Sequence, residues 1–219
     1  AFIQCHSLVS VTTPESLVSI GVSAFGAQGQ SGNYPTNYTQ CRNLKSVHIK
    51  GAPTIGDMAF FYCPIETLVI DGWVKGSTTT SNGTNAFAAT AITSVTLGEG
   101  VELIGMAPFE RSPVKSIVLP SSLVEISSYA FRRTTALESL TFADPATSKL
   151  TTIGSYAFQE SALTSFAMPD NYTRVSTYIF RESNIENITL GANTTQLDNN
   201  AFYGSKIKSI FLPKTLTHV

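Results

Sequence analysis

The side chains best suited to metal or redox chemistry in this 219-residue chain are three cysteines and three histidines. Structural zinc sites gather cysteine and histidine ligands at short, regular spacings. Here the six residues are scattered, at Cys5, His6, Cys41, His48, Cys63 and His218. We therefore expect no metal site. Three cysteines are also too few, and odd in number, for a disulfide framework.

Motifs of the common enzyme classes are missing from the sequence. It contains no G-x-S-x-G, H-E-x-x-H or G-x-x-x-x-G-K-[ST]. The glycine-rich stretch GAQGQSG at 26–32 lacks the lysine and the following helical pattern of a phosphate-binding loop. The acidic residues are spread along the chain, and no two stand out as an acid/base couple. The sequence predicts a protein that is not an enzyme and that needs no cofactor.

A repeat with a basic length of 22 residues organises the whole chain. Its first mark is a phenylalanine, usually preceded by alanine, at Phe2, Phe25, Phe60, Phe87, Phe109, Phe131, Phe158, Phe180 and Phe202. Its second mark is a short segment that follows, such as LKSVHI (44–49), ITSVTL (92–97), VKSIVL (114–119) and IKSIFL (207–212). Apolar and polar residues alternate in these segments, which is typical of strands with one buried face.

These marks predict a repeat solenoid, because a single coil of this length cannot bury its apolar side chains unless coils stack. We expect one continuous parallel β-sheet of about nine strands. Its inward rows would contain Val11, Val47, Leu68, Val95, Ile117, Leu140, Phe166, Ile188 and Ile210. The Ala-Phe segments are expected to form short helical or 3-10 turns, and short strands are expected on the back. Gly21, Gly56, Gly105 and Gly154 are expected at turns that need a positive φ.

The cysteines occupy a regular position in this repeat. Cys5 and Cys63 follow a repeat phenylalanine by three residues, and Cys41 precedes its strand leucine as Cys5 does. Other coils place serine or threonine there, without any cross-link. The sequence therefore predicts stacked, buried, reduced thiols.

The repeat resembles the BspA-type leucine-rich repeats of microbial surface proteins. PSSLVEISSYAF (120–131) and LTTIGSYAFQES (150–161) are close to the consensus of that family, and the resemblance covers the whole chain. It implies a leucine-rich repeat solenoid in a cell-surface or secreted protein. It also implies adhesion to host matrix proteins or to other cells.

The outward face of the strands supplies the first candidate binding residues. Just before each strand, both signs of charge recur, in Lys45, Glu66, Lys115 and Glu138, and His48 lies further along one strand. Small uncharged residues, mostly serine, form the row between them. This face is either a polar platform for a protein or glycan ligand or simply a solvated sheet surface.

Three insertions supply the remaining candidates. They lie at 26–38, 72–85 and 143–150, and Tyr34, Tyr38 and Trp73 within them are residue types that anchor interfaces. Extra loop length costs little free energy, so the alternative is length variation in tolerant turns.

Composition limits the partners. The net charge is −1 and 13% of residues are charged, so the basic surface of a nucleic-acid-binding protein is missing. No apolar run is long enough for membrane insertion within this segment. We predict a single solenoid domain over residues 1–219, expected to be a fragment of a longer protein because both ends fall within a coil. Two functions stay open: a surface or secreted module that binds a protein or glycan, and a structural spacer without a ligand.

Overall fold

A computed structural model describes residues 1–27, 40–74 and 83–219. Tyr34 and Tyr38 lie outside the described residues. The strands in the described part are β1 (Ser10–Thr12), β2 (Ser19–Ile20), β3 (Ser46–Ile49), β4 (Thr54–Ile55), β5 (Thr67–Trp73), β6 (Ser94–Val101), β7 (Leu103–Ile104), β8 (Ser116–Leu119), β9 (Glu125–Ile126), β10 (Ser139–Phe142), β11 (Thr152–Ile153), β12 (Ser165–Ala167), β13 (Arg174–Val175), β14 (Asn187–Thr189), β15 (Gln196–Leu197) and β16 (Ser209–Phe211).

The longer strands form the front of a parallel β-solenoid, as the repeat predicts. These front strands are β1, β3, β5, β6, β8, β10, β12, β14 and β16. They pair in register, so that Val11 lies beside Val47, Val47 beside Leu68 and Leu68 beside Val95. Because β1 and β3 pair directly, the long insertion between them leaves the repeat unbroken. The pairing confirms the alignment of front strands that the repeat predicts.

The front is not one continuous hydrogen-bonded sheet, which corrects the prediction. It divides into β1-β3-β5-β6, β8-β10 and β12-β14-β16. At the first interruption, between β6 and β8, the rings of Phe87 and Phe109 are 6.2 Å apart. At the second, between β10 and β12, Phe142 and Phe166 meet with ring centroids 6.0 Å apart and planes tilted by 38°. At this second interruption the aromatic pair Phe142 and Phe166 fills the interior, where most other coils place aliphatic side chains.

The back of the solenoid carries the expected short strands. They pair as β2-β4, β7-β9-β11 and β13-β15, all parallel. Their second residues are apolar, and all except Leu197 of β15 are buried, namely Ile20, Ile55, Ile104, Ile126, Ile153 and Val175. Each coil therefore closes on one shared core from both sides.

The repeat phenylalanines stack through the middle of that core. From Phe2 to Phe202, successive ring centroids are 4.7, 4.8, 5.2, 6.2, 5.5, 5.5, 5.2 and 5.8 Å apart, with nearly parallel planes. The six rings from Phe60 to Phe180 are fully buried. Their spacing is close to the roughly 4.8 Å between paired strands, so each coil contributes one ring to the column.

The Ala-Phe segments are turns rather than helices. The only helical element in the described residues is a 3-10 turn, Pro145–Thr147, which lies in an insertion. Helix formation fails because two left-handed residues flank most of the phenylalanines. Around Phe158, for example, they are Tyr156 at φ 60° and Glu160 at φ 54°. Around the described phenylalanines, glycine stands at only one of these left-handed positions, Gly204 after Phe202, so the sequence gives little sign of them.

The four glycines expected at positive φ do not adopt it; among described glycines only Gly51, Gly83 and Gly204 do. At two of the four, Gly56 and Gly154, glycine instead permits a close approach of the backbone of the preceding coil. A Cβ on Gly56 would lie 2.6 Å from the carbonyl carbon of Gly21, and one on Gly154 would lie 2.4 Å from the amide nitrogen of Ser128. Glycine at these points lets neighbouring coils touch.

Candidate functional site

The candidates Lys45, Glu66 and His48, near the start of the front face, each contact a side chain that can carry the opposite charge. Lys45 Nζ lies 2.6 Å from Glu66 Oε1, and His48 Nε2 lies 3.0 Å from Asp71 Oδ2. The side chains of Lys45 and Glu66 are each about half exposed, so their attraction is weakened by solvent and contributes about 0–1 kcal/mol. These groups satisfy one another, which leaves this part of the face with little free charge for a ligand.

Further along the face, the charge pattern is only partly realised as ion pairs. Lys208 Nζ contacts Glu186 Oε2 at 2.9 Å, and this hydrogen bond and charge lower the pKa of Glu186. Among the described residues, Lys115 and Glu138 form no ion pair. Lys115 and Glu138 are exposed and lie on neighbouring coils, near the middle of the front face.

Trp73 does not lie on the surface, which corrects its place among the candidate anchors. Strand β5 continues through Trp73, which pairs with Val101 beyond a register shift, so the insertion begins after the tryptophan. The indole is 1% exposed and packs edge-on against Phe87 at 6.1 Å. Trp73 is therefore a core residue.

A groove lies on the front face beside the second interruption of the sheet. Its volume is about 570 Å³, within the usual range of small-ligand sites. The exposed residues along it are Thr141, Pro145, Ser165, Ala167, Asn187, Thr189, Ser209 and Phe211. The inward residues Leu140, Phe142, Phe166 and Ile188 line it from below. It crosses four front strands from β10 to β16.

The 143–150 insertion supplies one wall of the groove through Pro145. The Asp144 side chain caps the 3-10 turn by accepting a hydrogen bond from the Ala146 amide at 3.0 Å. Thr147 Oγ1 bonds Asp144 at 2.9 Å and lies 3.2 Å from Ser121 Oγ in the preceding coil. The Lys149 amide bonds the Ser121 carbonyl. The wall is therefore held by the insertion and by its neighbour.

No residue that lines the groove is ionisable. Its polar groups are hydroxyls and one amide, which can both donate and accept hydrogen bonds. Its most exposed apolar group is the ring of Phe211, 82% exposed at one end. The groove offers no acid, base or nucleophile pair for catalysis, and its chemistry suits a neutral ligand held by hydrogen bonds and ring contact.

A second surface, which the sequence did not single out, runs along the Ala-Phe turns. Tyr129, Tyr156 and Tyr178 stack in sequence, with centroids 5.1 and 4.9 Å apart, and Tyr203 adds an edge contact at 6.4 Å. Arg132 lies over the Tyr129 ring at 4.6 Å. The signal that could have found the first three is a tyrosine directly before Ala-Phe, or before Ile-Phe at Ile179. The faces of these tyrosine rings are largely covered by neighbouring rings and by arginine side chains.

The three thiols are free and stack at one edge of the core, and the predicted burial holds for two of them but not for Cys5. Cys41 and Cys63 are fully buried, whereas Cys5 is half-buried in the first coil of this chain. Burial raises the pKa of Cys41, and it raises the pKa of Cys63 to about 12. Within the described ranges, no group of three histidine, cysteine or acidic side chains is placed to hold a metal ion.

Comparison with known proteins agrees with this architecture. The family model of the BspA type leucine rich repeat region matches this sequence in six copies, over residues 1–77 and 102–219. No curated protein gives a significant match. In the described part of the chain, no helix has the length and apolar character needed to cross a membrane.

Several solved structures share the fold. A leucine-rich repeat protein from Bacteroides ovatus is 18% identical with a TM-score of 0.62, and the match covers 100% of this chain and 70% of that protein. One from Eubacterium ventriosum is 23% identical with a TM-score of 0.54, covering 95% of this chain and 55% of that protein. This chain therefore spans little more than half of the second relative. At these identities the likeness concerns the fold alone.

Proposed function

The chain belongs to the BspA type leucine-rich repeat family, and we propose that it is a non-catalytic binding module of a cell-surface or secreted protein. In this proposal the front face holds a ligand without covalent chemistry, and the ligand is a glycan or a protein such as a host matrix component. The family resemblance to microbial surface proteins supports the location. The groove supports the binding.

The observation that carries this proposal is the coincidence of three features at one place. The strand ladder is interrupted between β10 and β12, the insertion between β10 and β11 folds into a capped turn, and Pro145 of that turn borders the groove. A tolerated length variation has no need of a cap and of bonds to the preceding coil. A wall fixed before the ligand arrives reduces the ordering cost of binding.

A structural spacer is the competing function, and the continuous phenylalanine column favours it. A stacked core of this kind gives a stiff array that could project another domain. The two functions differ in what they predict for the groove: a spacer has no use for it.

The test is a binding screen of the purified chain against immobilised glycans and matrix proteins, including fibronectin and collagen. Ala167 is exposed in the groove, so Ala167→Arg should block it without disturbing the core. Thr12→Arg is the matched control, because Thr12 occupies the same position of β1, is exposed and lies far along the face.

We expect at least one ligand to bind the unaltered chain and the Thr12→Arg variant, and to lose binding to Ala167→Arg. A flat response to every probe would favour the spacer. Binding that survives Ala167→Arg would move the site away from the groove.

A further inference from the structure

We infer that the groove recognises a neutral oligosaccharide rather than a protein segment or an anionic ligand. This inference rests on the proposed function and names the ligand class. It depends on the groove's charge, on its hydrogen-bonding groups and on the placement of its one exposed ring.

The charge of the groove excludes the anionic ligands. Sulfated or sialylated glycans and nucleic acids need arginine or lysine at the contact. None lines this groove, and Lys208, which directly precedes Ser209 of the groove, is already paired with Glu186 at 2.9 Å. A buried anion would find no partner here, so a neutral ligand is the best charge match.

The side chains also match sugars better than protein. Protein interfaces draw their binding energy from tryptophan, tyrosine and arginine, and serine and threonine contribute little. The exposed floor here is instead Ser165, Asn187, Thr189 and Ser209. Hydroxyl and amide groups both donate and accept, which is what a neutral sugar's ring of hydroxyls requires.

The arrangement is periodic along the groove. Ser165 pairs with Asn187 and Asn187 with Ser209, while Ala167 pairs with Thr189 and Thr189 with Phe211. Two parallel rows therefore repeat at the strand spacing of about 4.8 Å. One row is polar throughout, and the other ends at the exposed ring. A linear oligosaccharide could place successive hydroxyls along the first row and an apolar sugar face against Phe211.

The test uses the purified chain and a panel of neutral oligosaccharides, namely linear glucose, galactose, mannose and N-acetylglucosamine oligomers. A sulfated glycan, a sialylated glycan, fibronectin and collagen are run in parallel. Phe211→Ala should weaken binding of the best neutral oligomer by about tenfold or more, since the ring loses its apolar contact. Val118→Ala removes another exposed apolar side chain of the front face, outside the groove, and should leave affinity unchanged.

Binding should also be nearly the same from about 0.01 M to about 1 M salt, because no ion pair contributes. Binding only to a matrix protein, only to an anionic glycan, or with steep salt dependence would overturn this inference while leaving the proposed function standing. Neutral-sugar binding that Phe211→Ala does not weaken would overturn it too. No binding to any probe would remove both.

Discussion

The thiol of Cys63 donates a hydrogen bond to the carbonyl oxygen of Phe25, 3.3 Å away in the preceding coil. Cys41 bonds the carbonyl oxygen of Phe2 in the same way, at 3.0 Å. Thr90, Thr134 and Ser183 in this slot turn the other way, each donating to the carbonyl oxygen of the phenylalanine three residues before it, at 2.8, 2.7 and 2.8 Å. The slot thus accepts a thiol or a hydroxyl, and the thiols link adjacent coils without a covalent bond.

We predict that the three thiols differ sharply in reactivity. The thiolate is the reactive form, and burial keeps Cys41 and Cys63 protonated. At pH 8, Ellman's reagent should therefore modify Cys5 alone in the folded chain and all three in denaturant. Cys5→Ser should abolish the native reaction. Equal rates for Cys63 in folded and unfolded chains would contradict the burial seen here.

The raised pKa of Cys63 also predicts a loss of stability in alkali. The unfolded thiol ionises near its ordinary value of 9.0, whereas the folded one resists until about pH 12. The folded state then binds more protons, so the free energy of unfolding falls as pH rises between those values, by at most about 1.4 kcal/mol per pH unit. Urea titrations at several pH values would measure it.

Cys63→Ser is the control for that experiment, because serine fills the slot in other coils and does not ionise in this range. Its free energy of unfolding should fall less steeply between about pH 9 and pH 12. Parallel pH curves for the two proteins would show that Cys63 is not responsible.

Core and site differ in how far sequence predicts them. The inward row around Val47 and Leu68 was predictable, because alternation along a strand fixes which side chains are buried. The groove was not predictable, because it depends on where strand pairing stops and on how the 143–150 insertion folds. The assignment of Trp73 to an insertion was wrong for a related reason. The spacing between repeats shows that extra residues are present, but only strand pairing shows that β5 extends through the tryptophan.

The phenylalanine column predicts a steep contrast between two phenylalanines. Phe158 is fully buried between Phe131 at 5.5 Å and Phe180 at 5.2 Å. Phe158→Ala should lower the free energy of unfolding by about 3–5 kcal/mol, from lost burial and the cavity left behind. Phe211→Ala, on the exposed face, should change it by less than about 0.5 kcal/mol. Similar losses for both would refute the column as the centre of the core.

The left-handed turns predict an unusual order among substitutions of Tyr156. This residue has φ 60°, a conformation that asparagine tolerates and β-branched residues strongly disfavour. Both Tyr156→Asn and Tyr156→Val lose the stacking on Tyr129 and Tyr178. Valine adds backbone strain, so it should cost at least about 1 kcal/mol more than asparagine. Thermal unfolding of the two variants provides the comparison, and equal costs would show that the turn relaxes.

Gly56 and Gly21 provide the cleanest test of coil contact, because they occupy equivalent places in successive coils. Neither has a positive φ, so an added methyl group acts through space alone. On Gly56 it would lie 2.6 Å from the backbone of Gly21 and Val22, far inside contact distance, whereas nothing described lies within 4 Å of the same atom on Gly21.

Gly56→Ala must push two coils apart and should destabilise the chain by more than about 2 kcal/mol, as overpacking does. Gly21→Ala should be neutral or stabilise by up to about 1 kcal/mol, because it restricts the unfolded chain. Denaturant unfolding of both variants decides the matter: if Gly56→Ala is as harmless as Gly21→Ala, the backbones of these coils are not in contact, and glycine stands there for another reason.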